Sequence, residues 1–107
     1  MDGTKSIEAF QNQVLRPILK YQNEVLMQIF LVGIHPKNLN IEPISTLEQQ
    51  TIIKGQFKTN GMLKQLLLGA VIGMFTVKEF EFYNSNKSSL NKRIFSILKE
   101  LLLDQWN

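Results

Sequence analysis

Arg16 and Arg93 are the only arginines among twelve basic residues, and each lies in a segment with helical periodicity. A guanidinium stays charged and presents five N–H donors in a fixed fork, so these two side chains are the best suited to hold a carboxylate or phosphate in one orientation. Lys20 and Lys64 could add charge, but no spacing among the four fixes a convergent site. His35 is the single histidine; it stands between Gly33 and Pro36, and the nearest carboxylate in sequence is Glu42. A metal centre needs three or four ligands, and a histidine base needs a nucleophile or substrate beside it. Neither is nominated, so no metal, no cofactor and no catalytic set is expected, and the chain leans away from being an enzyme.

Nucleic-acid binding is disfavoured for related reasons. The best basic grouping is Lys87, Lys92, Arg93 and Lys99, of which only Lys92 and Lys99 share a helical stripe, and Glu100 dilutes it. Aromatic and basic residues do not interleave as single-strand stacking requires, and no helix-turn-helix spacing is visible.

Composition sets the frame for these residues. The 107-residue chain fits one domain spanning 1–107, and its 44% hydrophobic and 20% charged content is that of a chain that folds. Zero cysteines exclude disulfides and thiolate zinc sites. With Met1-Asp2-Gly3-Thr4 lacking the pattern of a signal peptide, a cytoplasmic location is expected. A net charge of +3 permits weak attraction to polyanions without demanding it. The longest apolar run, residues 66–75, is ten residues and falls short of the roughly 20 that cross a bilayer.

The elements that would position the candidate residues are all helical. Ile7, Phe10, Val14, Ile18, Tyr21, Val25, Ile29 and Val32 recur at spacings of 3, 4, 4, 3, 4, 4 and 3, which predicts one long helix kinked at Pro17 and ended by Gly33 and Pro36. Residues 34–44 read as the main loop. Ser45 with Glu48, and Thr76 with Glu79, carry capping-box spacing and should each start a helix. The first of these weakens near Gly55, and Thr59-Asn60-Gly61 opens a third helix through Met74. That third helix, apolar nearly all round, should be fully buried at the centre, with Gly69 and Gly73 letting a neighbour approach closely. In the last helix Asn84-Ser-Asn86 is either a break or crossed unbroken. The expected architecture is all-α: a four-helix, mainly antiparallel bundle with a long Pro-kinked first helix.

The first helix carries more apolar surface than one bundle covers. Leu15, Leu19, Leu26 and Phe30 form a second stripe beside the first, and residues 6–32 would span about 40 Å against about 34 Å for a compact sphere of this length. The function expected is therefore a non-enzymatic interaction domain that forms a homodimer through those four residues or receives another protein partner. The alternative is a small-molecule binder or small helical enzyme with its site at a helix interface, an anionic ligand being held by Arg16 or Arg93. On sequence alone, Leu19→Glu or Phe30→Glu would release monomers or give insoluble protein, and Gly73→Leu would be among the most destabilising changes.

Overall fold

A proline inside a helix has no amide proton to close the turn below it, and Pro17 marks where the first helix departs from α geometry. In the computed structural model of the chain, which describes residues 3–34 and 45–106, α1 (Gly3–Phe10) passes into a π-helical turn (Gln11–Leu15). Helix α2 (Arg16–Tyr21) follows, with the proline in its first turn. The Arg16 N–H reaches the Gln11 carbonyl, five residues back. Gln22 interrupts the rod once more before α3 (Asn23–Ile34). Its N–H still bonds the Ile18 carbonyl at 2.9 Å, so the axis is not lost.

Helices α4 (Thr46–Thr59), α5 (Gly61–Ile72), α6 (Val77–Ser85) and α7 (Lys87–Gln105) complete the described residues, among which there is no strand. Both capping boxes form. The Glu48 N–H donates to Ser45 Oγ at 3.1 Å and the Ser45 N–H to Glu48 Oε1 at 3.3 Å; Thr76 and Glu79 exchange the same bonds at 3.2 and 2.8 Å. Gly55 does not end α4, because Ile53 and Phe57 on either side are buried and offset a glycine penalty of about 1 kcal/mol. The last helix does break: Asn86, at φ −129° and ψ 31°, separates α6 from α7. His35 and nearly all of the expected loop lie outside the described residues.

The described residues are all-helical, but α segments are more numerous than the four expected, and the centre is different. Helix α7, with Leu90, Ile94, Leu98 and Leu102 fully covered, is the spine that the π-turn, α2, α3, α4 and α6 all touch. Two bonds set its alignment with the first rod: Arg93 Nη1 donates to Gln11 Oε1 at 2.7 Å, and Gln105 Nε2 to the Asn23 carbonyl at 3.0 Å. Each joins residues 82 apart in sequence, so equal steps match and the rod runs parallel to α7. Helix α4 runs the other way. Its Gln49 Nε2 donates to the Trp106 carbonyl at 2.6 Å, and its Phe57 meets Phe95 edge-on at 5.9 Å. The described fold is long, 48 × 24 × 22 Å, with a radius of gyration of 14.5 Å against about 13 Å for a compact chain of this size.

Helix α5 is not fully buried. Leu63, Leu67, Leu68 and Val71 face the core, while Met62 and Leu66 are exposed. Gly69 and Gly73 lie on that open side and are not a close-packing pair. A Cβ on Gly69 would meet nothing within 4 Å, and one on Gly73 would meet only carbonyl oxygens of its own turn. The close approach occurs at Gly33, where a Cβ would stand 2.6 Å from Leu63 Cδ1, so α3 and α5 touch through a glycine that the sequence marks as a helix end.

Tyr83 ties α6 to α7 by donating its hydroxyl to Asn91 Oδ1 at 2.6 Å. Its ring also faces Phe75 and Phe80, and Phe75 in turn meets Phe10 of α1. Burial pushes the phenol pKa above its ordinary 10.0, with the Asn91 bond opposing the shift in part. The folded state thus holds the phenolic proton more tightly than the unfolded chain. Its contribution is complete below about pH 10 and is lost as pH rises through the folded pKa.

Two measurements check this arrangement. In chemical denaturation, Gly69→Ala should stabilise by about 0.5–1 kcal/mol through helix propensity alone. Gly33→Leu should destabilise by about 1–3 kcal/mol through overpacking. Equal effects at the two sites would place the contact wrongly. In a Tyr21→Phe background, ultraviolet titration of the remaining Tyr83 should show ionisation above pH 10 coinciding with loss of helicity, and Tyr83→Phe should remove that step.

Candidate functional site

The two arginines singled out by type are brought into one hydrogen-bonded chain. Arg93, half-buried on α7, donates Nη1 to Gln11 Oε1 at 2.7 Å. Gln11 Nε2 donates to Asn12 Oδ1 at 3.5 Å, and Arg16 Nε donates to the same oxygen at 3.3 Å. Three hydrogen bonds therefore separate the two guanidinium groups, and both amides between them are neutral. The π-turn supplies Gln11 and Asn12, and the bond to Arg93 crosses from the rod to α7. Sequence reasoning names the arginines and misses the amides, since glutamine and asparagine in a helix carry no spacing signal of their own.

Lys20 and Lys64, the other candidate cations, have no hydrogen bond to this group among the described residues. Lys64 lies with Nζ 5.6 Å above the Phe95 ring, and Lys99 stands 5.9 Å from the Phe57 ring. Lys54 and Lys99 share a small depression with Glu100. Lys20 is exposed on α2. Of the basic grouping of α7, Lys99 lies in the mixed-charge hollow beside the Phe57 ring, Arg93 belongs to the arginine chain, and Lys87 and Lys92 are exposed. Among the described residues no three histidine, cysteine, aspartate or glutamate side chains come together to hold a metal ion.

A second surface is apolar. Leu15, Leu19, Leu26 and Phe30, expected to meet another copy, are instead 0–1% exposed inside the core of their own chain. Their stripe packs inward because the α7 spine lies against it. Of the neighbouring stripe, Ile7, Val14, Ile18 and Ile29 pack partly against the core, while Tyr21 is 77% and Val32 68% exposed and Val25 is exposed with them. Across from it, Met62 and Leu66 stand one helical turn apart on α5. Between α3 and α5 lies an open depression of about 560 Å³ lined by Glu24, Val25, Gln28, Ile29, Val32, Gly33 and Leu66. The sequence signal for this face is the same apolar periodicity that defines the first helix; spacing alone does not say which stripe is covered.

Among the described residues, no helix is long and apolar enough to cross a membrane. No protein-family model matches the chain, and no curated protein or solved structure matches it either.

Proposed function

We propose that this chain is a non-enzymatic helical interaction domain of the cytoplasm that pairs with a second copy of itself through the apolar face of α3 and α5. The observation that carries it is the exposure of three large apolar side chains, Val25, Val32 and Leu66, that line one depression, with exposed Tyr21 and Met62 one helical turn before Val25 and Leu66 on the same helical faces. A surface of that kind has a standing free-energy cost in water, which burial against a partner removes at about 25 cal/mol per Å². An identical copy suits it for two reasons. Glu24 is the one charged residue of the lining and it is exposed; the rest is neutral, so most of the contact meets its copy without charge repulsion. The patch also holds both a ridge, Val25 and Val32, and the hollow beside it, and a twofold contact needs knob and hole on the same surface. The absence of cysteine suits a reducing compartment.

Light scattering at micromolar concentration tests the pairing. Wild type should give twice the 12.4 kDa chain mass. Val32→Glu and Leu66→Glu should each give a folded monomer by circular dichroism. Leu19→Glu should lose helicity instead, because Leu19 is core. Lys20→Glu should leave assembly intact. A wild-type mass of one chain would sink the proposal.

A further inference from the structure

We infer that Arg16, Arg93, Gln11 and Asn12 form a binding site for a small oxyanion, the phosphate or carboxylate group of a soluble metabolite. The site stands apart from the α3–α5 face and does not depend on self-association.

The first ground is charge. Arg93 is half-buried, and the acceptor it reaches is an amide oxygen, not a carboxylate. Arg16 likewise spends its bond on an amide. Partial burial of Arg93 with only a neutral partner leaves its charge poorly compensated, and an anion is the species that offsets this; Arg16 is exposed and adds its charge from the solvent side. The nearby carboxylates do not: Glu8 is exposed one turn before Asn12 and takes no part in the chain of bonds, and Glu100 lies two turns beyond Arg93 in the hollow with Lys54 and Lys99.

The second ground is donor supply. Each guanidinium carries five N–H groups and uses one in the bonds described. Asn12 Oδ1 accepts from both Gln11 Nε2 and Arg16 Nε, which turns its own Nδ2 donors away from that contact. The amides therefore order the array: each acceptor oxygen faces an internal donor, and what remains to face outward is N–H. Two forks held by shared amides are pre-organised for the several oxygens of a phosphate, or for carboxylates taken one by each arginine. The third ground is position. A π-turn is a departure from regular helix that recurs at functional sites, and here it presents Gln11 and Asn12 to both arginines.

Inorganic phosphate and succinate are the probes, each titrated at constant ionic strength against chloride and followed by melting temperature and by amide chemical shifts of residues 11–16 and 93. Wild type should show a saturable rise for at least one probe, and which one saturates at lower concentration identifies the group the site takes. Arg16→Gln and Arg93→Gln should each weaken it about tenfold or more, the loss of one charge-assisted contact. Lys20→Gln, which removes equal charge from the same rod, should not. Gln11→Glu supplies Arg93 with an internal carboxylate, so it should abolish the response while leaving the fold at least as stable, and this keeps the test sound if Arg93→Gln fails to fold. Unsaturable responses to both probes, equal weakening by Lys20→Gln, or full binding by Gln11→Glu would each overturn the site.

Discussion

Pro17 cannot offer an amide proton to the turn beneath it, and the widened turn that results decides which face of the first rod becomes core. In regular α-helix, Phe10 belongs to the stripe of Ile7, Val14 and Ile18. Across a turn closed by five-residue bonds, Phe10 instead falls into line with Leu15, and from there the buried positions run Leu19, Leu26, Phe30 and Ile34. The rod thus changes face at the π-turn. Before it, Ile7 and Phe10 are turned inward; after Tyr21, Val25 and Val32 of the original stripe are turned out. The exposed apolar surface of α3 follows from a phase slip one or more helical turns upstream.

Much of the local structure was legible. The capping boxes at Ser45 and Thr76 formed because they depend on two side chains three residues apart, and nothing distant competes with them. The break at the end of α6 follows from asparagine chemistry: Asn86 Nδ2 bonds the Phe82 carbonyl at 2.9 Å, an alternative to continuing the helix. What could not be read is which apolar residues meet. A constant 3.6 period carried through Pro17 placed Leu15, Leu19, Leu26 and Phe30 on the wrong side of the molecule. Likewise the most apolar segment, α5, was given the centre, although a central helix is the one that other helices surround, and α7 has the length and the unbroken stripe for that role. The two arginines were legible by type, while their connection through Gln11 needed the parallel alignment of rod and spine.

That alignment rests on polar bonds as well as on packing. The apolar stripes of two helices can slide by a turn at modest cost, since leucines replace leucines. The Arg93 bond to Gln11 and the Gln105 bond to the Asn23 carbonyl, at matched separations, are broken by any such slide. A half-buried donor left unpaired costs about 1–3 kcal/mol, so register is enforced at both ends of the contact. The Trp106 end is held a third time by Gln49, whose amide is buried, and by the Phe30 ring 5.7 Å from the indole. The polar groups of this small core therefore select one arrangement among several that hydrophobic burial alone would tolerate.

The same rod carries both proposed surfaces, and its geometry keeps them from interfering. Asn12 and Val25 are separated by about 20 Å along the helix axis. Gln22 lies between them, with the π-turn and α2 on one side packed on α7, where Leu15 and Leu19 are buried, and α3 on the other held to α5 at Gly33. A copy seated in the α3–α5 hollow would cover Val25 and Val32 without reaching Arg16, and an anion on the arginines would draw on the π-turn and α7 without touching α5. An effect of one on the other would have to pass through the buried leucines between them. These are fully covered and close-packed, and a core in that state shifts as a unit or not at all. Coupling between the two surfaces therefore requires the rod to move as a whole or to change at one of its two departures from α geometry, the π-turn that holds Gln11 and Asn12 or Gln22 between the surfaces.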